Sequence, residues 1–190
     1  IMTATPARLR SFYRNWYRPD LQAVVAVGDF DVAAIEAQIK KHFGSIPKPA
    51  AGAPKRTLAT VPANREPLIG IGHDKEATGS DVELIFKLPV EKTKTVGDYR
   101  RDLMERLYLG MLNARLEEIS QKPDAPFLGA GASKGTFIGR TTDAFTLGAG
   151  VKDGGIDRGL EALLLEAKRV DQFGFLQTEL DREKQSLIRG

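Results

Sequence analysis

The sequence predicts an α+β fold: a mainly antiparallel sheet with helices packed on one face. From residue 68 onwards the predicted elements run strand, strand, long helix, strand, strand, helix, helix. Residues 68–73 form the first predicted strand, and two strands rich in small residues follow the long helix, joined near Gly139 and Arg140. The second strand shows the alternation of a half-buried strand, at Val82, Leu84, Phe86 and Leu88.

The helices are predicted from apolar residues that recur every three or four positions. The longest helix covers about residues 94–119, and we expect Leu107 and Met111 in its apolar stripe to be close to fully buried. Another helix follows the turn at Asp153 and ends near Gly174. The stripe of the long helix comprises Tyr99, Leu103, Leu107, Met111, Leu112, Leu116 and Ile119.

The first 47 residues predict a helix, a strand and a second helix. The strand is the apolar run at residues 21–27, which is typical of a strand covered on both faces. Asp31 is the expected N-cap of the second helix, and Gly44 is expected to end it in a left-handed conformation. Because one strand cannot close a core, this segment needs further strands. Residues 48–67 hold four prolines and little periodicity, which indicates a linker.

Composition excludes several classes of protein. Apolar residues make up 42% and charged residues 28%, as in soluble globular proteins, and no apolar run approaches the roughly 18 residues of a membrane helix. The absence of cysteine excludes disulfides and cysteine-ligated zinc. A net charge of +3 without a dense basic run argues against nucleic-acid binding. No signal peptide opens the chain, and its first residues are those expected of an excised fragment.

One stretch, residues 11–47, resembles a segment of the pitrilysin/insulinase-type zinc metallopeptidases. The family segment reads aromatic-Tyr, Tyr, Pro, apolar strand, Gly-Asp, helix and Phe-Gly-x-x-Pro. The matching features here are Phe12-Tyr13, Tyr17, Pro19, Gly28-Asp29 and Phe43-Gly44 with Pro47. The resemblance implies that residues 1–47 end a first homologous domain as helix-strand-helix. Residues 68–190 would then be a second, C-terminal-type α+β domain, with 48–67 as the linker.

The zinc site of these inverted zinc peptidases needs H-x-x-E-H, in which two histidines bind the metal and a glutamate activates water. The chain has only two histidines, far apart in the sequence. His42 lies at a basic helix end, where positive charge favours the helix dipole, and His73 is expected at the surface beside Asp74. By the family pattern the zinc ligands precede residue 1. We therefore predict no catalytic, cofactor-binding or metal residue here, and zinc in the missing upstream domain.

The later half of this family also carries an arginine and a tyrosine that contact substrate after a long helix. The matching positions fall near Gln121 and Phe127, so both functional groups are missing. This departure favours the equivalent domain of the other half of the enzyme. Arg115, Glu117 and Glu118 on the helix are interpreted as a solvated face with helical ion pairs.

The glycine-rich segment at residues 129–135 lacks the spacing of a phosphate-binding loop, as does the segment around Gly28. We interpret these glycines as residues that allow a bend in a strand or the close approach of another backbone. An edge strand of such a sheet can accept an extended peptide by strand addition, but the sequence leaves open which edge is free.

The resemblance implies a non-catalytic portion of a pitrilysin-like zinc metallopeptidase that helps to form the peptide-substrate chamber. Alone, the chain is predicted to be inactive because H-x-x-E-H is absent. Its expected partners are the rest of the parent polypeptide or a homologous subunit, and the peptide substrate of the full enzyme. Two alternatives stay open: a zinc-less partner or structural subunit of the same fold, and an unrelated peptide-binding α+β module. The resemblance also suggests a periplasmic location in a bacterium.

Overall fold

A computed structural model describes residues 3–49 and 51–189. The chain divides into two compact units, Ile1–Thr57 and Leu58–Gly190. The division falls inside the segment 48–67, whose role as a linker between two homologous domains stays a prediction. Within the part of the chain that is described, no helix is long and apolar enough to cross a membrane.

The first unit contains α1 (Pro6–Trp16), a short 3-10 turn (Pro19–Leu21) and α2 (Val32–Phe43). Helix α2 begins at its predicted cap, where the Asp31 carboxylate accepts the Ala34 N–H at 2.7 Å, and α1 begins at Thr5, whose hydroxyl accepts the Arg8 N–H. The Arg18 side chain is buried here and donates to both carboxylate oxygens of Asp20 at 3.0 Å.

The strand predicted at residues 21–27 is wrong for this unit. Gln22 has extended backbone angles (φ −118°, ψ 151°), yet residues 22–27 pair with no strand among the described residues. An extended segment becomes a strand only when a neighbour supplies its hydrogen-bond partners, and the described residues of this unit supply none. Gly44 also differs from expectation, because its φ of −66° is right-handed; it needs to be small because a Cβ would collide with the Lys40 carbonyl.

The second unit is built on a three-stranded antiparallel sheet of β1 (Ser80–Pro89), β2 (Gly129–Ile138) and β3 (Thr142–Val151). The strand order is β1-β3-β2, so β3 is central and the other two lie at the edges. Gly139 and Arg140 both have positive φ in the turn between β2 and β3, as the tightest hairpin turns require. The predicted joint between these strands is therefore correct.

Three helices complete this unit: α3 (Val96–Ser120), α4 (Ile156–Phe173) and α5 (Gln177–Arg189). A capping box of Thr95 and Asp98 begins α3. Helix α3 packs on β2, α4 packs on β3 and β1, and α5 packs on α3. The predicted α+β fold class is confirmed. The core comprises Leu112, Leu116, Phe127, Ala132, Leu147, Ala149, Val151, Leu163 and Val170.

Two predictions for this unit need correction. Residues 68–73 are not a strand, because they pair with no strand in the described chain, and Ile69 and Ile71 are 87% and 92% exposed. In α3, Met111 is buried as expected but Leu107 is only half-buried. The apolar residues of α3 occupy more than one face, and the sheet covers the face that carries Leu112 and Leu116.

Candidate functional site

The two histidines lie apart from any cluster of metal-binding side chains. His42 is in the last turn of α2 and His73 is in the extended segment before β1, and both are exposed. Across residues 3–49 and 51–189, no three His, Asp or Glu side chains are placed to hold a metal ion. That the chain supplies no zinc ligand stays a prediction.

The positions that correspond to the family's arginine and tyrosine have local structural roles. Gln121 is the C-cap of α3, and its side-chain amide donates to the Glu117 carboxylate at 3.0 Å. Phe127 is 3% exposed and belongs to the core. Neither side chain offers the functional group that those family positions carry.

Arg115 does not lie on a solvated face, contrary to the sequence interpretation. Its guanidinium donates to Glu179 at 2.6 and 2.8 Å and to Glu166 at 3.1 Å. It also donates to the Gly174 carbonyl and lies 4.8 Å from the centre of the Phe175 ring. Arg115 therefore joins α3, α4 and α5. The interpretation holds better for the neighbouring Glu117 and Glu118, which are exposed.

This ion cluster shifts the pKa values of two of its members, Glu179 and Arg115. The hydrogen bond from Arg115 lowers the pKa of Glu179 to about 2, helped by the backbone N–H of Leu176, while burial opposes the change. The same carboxylates raise the pKa of Arg115. These contacts hold charged groups together between three helices, so we assign the cluster a structural role.

The free edge of β2 is the feature that the sequence analysis left open. In β2 the backbone N–H of Ala132 donates to Asn113 Oδ1 at 2.6 Å, and its carbonyl accepts from Asn113 Nδ2 at 3.0 Å. Both backbone groups of Ala132 therefore point away from β3, as they do at every second residue of an antiparallel pair. The side-chain amide of Asn113, which belongs to α3, occupies the place that a peptide group of a fourth strand would take.

A groove, which we call the β2 groove, runs beside this edge and over the sheet face that α3 and α4 leave uncovered. Its floor is glycine-rich, and a Cβ at Gly129 or Gly150 would meet no atom within 4 Å. Its carboxylates are Asp81, Glu83 and Glu117, and no lysine or arginine lines it. The lining comprises Asp81, Glu83, Asn113, Ala114, Glu117, Gly129, Ala130, Gly131, Ala132, Ser133, Thr146, Gly148, Ala149 and Gly150.

Sequence reasoning found the glycines of this surface but missed Asn113. A usable signal existed, because asparagine is unfavourable inside a helix and tends to bond to nearby backbone. That signal marks Asn113 as unusual within α3. It cannot name Ala132 as the partner, since that contact depends on how the helix crosses the strand.

A family model described as the peptidase M16 inactive domain matches residues 3–187. The chain belongs to this family. The match spans both structural units and confirms the resemblance to insulinase-type peptidases that the motifs indicated. Because the family description calls this domain inactive, it also agrees with the absence of H-x-x-E-H from the sequence.

Two relatives that are described as zinc proteases are much longer than this chain. A zinc protease PQQL-like protein of Arabidopsis thaliana is 36% identical over 141 residues, which cover 74% of this chain and 15% of that protein. A protein of Escherichia coli K12 described as a probable zinc protease, PqqL, is 26% identical over 188 residues, covering 99% of this chain and 20% of that one. The chain thus spans a fifth or less of these relatives.

Solved protease structures share the fold of this chain. The crystal structure of the periplasmic protease PqqL from Escherichia coli matches 98% of this chain with a TM-score of 0.72 and 25% identity, over 20% of its own length. A structure of the first half of that protease matches equally well, over 40% of its length. The ferredoxin protease FusC matches 97% of this chain and 20% of its own, with a TM-score of 0.66 and 22% identity, and shares the fold.

Proposed function

We propose that this M16 inactive domain is a non-catalytic portion of a PqqL-like zinc metallopeptidase and helps to wall the chamber that holds the peptide substrate. Zinc binding and proteolysis reside in another part of the parent protein. The observation that carries this proposal is the match of 98% of the chain to the PqqL protease, at a TM-score of 0.72. The structural roles of Gln121 and Phe127 support a domain without reacting groups.

In the proposed domain organisation, residues 1–47 are the end of one homologous domain and residues 68–190 form the next. Residues 48–67 are the linker between the two domains. Support comes from the exposed apolar chain at residues 22–27, where Val25 and Val27 are 79% and 93% exposed. Monomeric domains rarely expose such apolar strands, because unpaired edges invite association. In the parent protein this segment adds to the sheet of the preceding domain.

A periplasmic location is part of the same proposal. It rests on the description of the Escherichia coli protease as periplasmic and on the absence of cysteine from this chain. Fractionation of the source cells, with the parent protein followed by antibody, tests the location independently of the activity.

The proposed function is tested by reconstitution. The purified chain should neither bind zinc stoichiometrically nor cleave peptides. The parent protein should lose peptide cleavage when the segment corresponding to this chain is deleted. Adding the purified chain to that deletion variant should restore cleavage. Micromolar zinc affinity of the chain alone, lost in a His42→Ala/His73→Ala double variant, would contradict the proposal. The proposal would also be contradicted if the deletion variant of the parent protein cleaved peptides fully without the added chain.

A further inference from the structure

A second groove lies in the helix layer of the Leu58–Gly190 unit, where the end of α3 meets the turn between α4 and α5. Its cavity has a volume of about 710 Å³, within the range of pockets that bind ligands. The ion cluster around Arg115 lines part of it. Three further cations line it, each from a different element: Lys122 follows α3, Arg169 lies in α4 and Arg182 lies in α5. We call it the α4–α5 groove.

These three outer cations have few partners within the protein, unlike Arg115. The guanidinium of Arg115 is held by hydrogen bonds to two carboxylates and a carbonyl. Arg169 lies 3.7 Å from Glu166, and Arg182 lies 3.9 Å from Glu118, and these arginine side chains are 67% and 68% exposed. Long, exposed ion pairs of this kind contribute little to stability. Within the described residues Lys122 forms no ion pair, so all three charges are available to a partner.

The carboxylates of the α4–α5 groove leave it net positive, because four cations and three carboxylates line it. Glu179 accepts from Arg115 at both of its oxygens and from the Leu176 N–H at 2.6 Å. Glu166 is 5% exposed and also accepts from Arg115. Among the described lining residues, Glu118 is the one exposed carboxylate. The outer surface of the groove therefore complements anionic groups.

Two large apolar side chains are exposed beside the cations. Phe173 ends α4 and is 79% exposed, and Leu176 precedes α5 and is 67% exposed. Between them Gly174 has a φ of 65°, and Phe175 turns inwards to pack edge-on against Tyr108. Exposed apolar side chains rimmed by charge are typical of surfaces that bind another protein. They offer a contact for an apolar side chain of the partner.

We propose that the α4–α5 groove is a docking site for an acidic segment of a protein partner. Its carboxylates pair with Lys122, Arg169 and Arg182, and an apolar residue among them packs on Phe173 and Leu176. The Arg115 cluster joins α3, α4 and α5, so the spacing of the three cations is set before the partner binds, which lowers the cost of docking. This docking site does not depend on the peptide chamber of the proposed function.

The test measures binding of a fluorescent octapeptide of glutamate with one central phenylalanine to the full chain, by anisotropy. Affinity should fall at least about tenfold in the Lys122→Glu/Arg169→Glu/Arg182→Glu variant, because each reversal places like charges together. The matched control is Lys152→Glu/Lys168→Glu/Lys184→Glu, which makes the same change in net charge at exposed lysines outside the groove. Equal loss of affinity in both variants, or no loss in the first, would overturn the docking site.

The chemistry of the occupant is tested with other ligands. Replacing the phenylalanine of the peptide by serine should weaken binding at least about threefold, because the contact with Phe173 and Leu176 is lost. A lysine octapeptide should not bind measurably. Equal affinity of the serine and phenylalanine peptides would overturn the apolar contact. Inorganic phosphate that bound as tightly as the peptide would show a site for a small anion and overturn peptide docking.

Titration of the wild-type chain keeps the docking site testable if the charge-reversal variant does not fold. The peptide should shift the methyl NMR signals of Ile119 and Leu176, which line the α4–α5 groove, and leave those of Ile138 at the end of β2 unchanged. Absence of shifts at about 1 mM peptide, a concentration that fills even a weak site, would overturn the docking site.

Discussion

At the scale of single residues, Arg115 shows how much one side chain can organise. It lies in α3, its carboxylate partners lie in α4 and α5, and it is only 12% exposed. Two of its hydrogen bonds go to the same carboxylate, that of Glu179, which adds geometric specificity to charge. Few apolar contacts support α5 at this point, since α5 has no buried residue of its own among those described.

Replacing Arg115 should therefore destabilise the second unit strongly. Arg115→Ala removes the cation that Glu166 and Glu179 share, and breaking a buried pair in this way typically costs about 3–5 kcal/mol. Lys184→Ala is the control, because Lys184 is an exposed cation on the same helix, α5. Urea denaturation measures both. Similar unfolding free energies for the two variants would contradict the structural role of the cluster.

Acid should weaken the same cluster. The pKa of Glu179 is lowered from 4.5 to about 2 by Arg115, so its contribution to stability is present above pH 4.5 and is lost as the pH falls towards 2. The urea midpoint of the wild-type chain should decline across that window. In Glu179→Gln the decline should be shallower, because this carboxyl no longer titrates. If the urea midpoints of the wild-type chain and of Glu179→Gln declined equally with falling pH, Glu179 would not be the cause of the acid effect.

At the scale of elements, the residues of α3 that are buried depend on which of its apolar faces the sheet covers. Leu116 is completely buried and belongs to the core, whereas Leu107 is half-buried and Tyr99 is 55% exposed. The capping box at Thr95 and Asp98 sets where the helix starts, and the pKa of Asp98 is lowered to about 2 chiefly by its hydrogen bond with the Thr95 hydroxyl. The start of α3 is therefore determined by neighbouring residues in the sequence, whereas its buried face is determined by packing against the sheet.

The loss of unfolding free energy caused by truncating a leucine of α3 should increase with how deeply that leucine is buried. Leu116→Ala should cost about 2–5 kcal/mol of unfolding free energy through lost transfer energy and the cavity left behind. Leu107→Ala should cost clearly less, because its side chain already contacts solvent. Thermal denaturation of both variants, with Arg106→Ala on the exposed face as a control, measures the order. An equal or larger loss at Leu107 would contradict the packing described for α3.

At the scale of the whole molecule, the chain consists of two units of unequal completeness. The Leu58–Gly190 unit has a sheet and a continuous apolar core, while the Ile1–Thr57 unit has two helices and an unpaired extended segment. Stability is expected to follow the core, so the smaller unit should open more readily.

Limited proteolysis should therefore cut the segment 48–67 first. Lys55, Arg56 and Arg65 are exposed trypsin sites there, whereas the basic residues of α3 lie in a folded helix. The expected product is a fragment that starts within this segment and keeps its helical and sheet content by circular dichroism. Early cleavage within α3 while residues 48–67 stay intact would contradict the predicted boundary.

Local features of this protein were determined by sequence alone. The Asp31 cap, the hairpin joint at Gly139 and Arg140, the order of helices and strands from residue 80 onwards and the family motifs each depend on residues that are close together in the chain. Conformational preferences and side-chain periodicity act over a few residues, so a single sequence records them directly.

Tertiary structure alone decided the features that depend on distant partners. Residues 22–27 and 68–73 have the composition of strands but form none here, because strand pairing needs a neighbour that the described chain does not supply. Arg115 reads as a surface residue in sequence, yet two glutamates more than fifty positions away draw it into the interior. The bond of Asn113 to the β2 edge likewise exists only because α3 crosses that strand, a relation that no local pattern encodes.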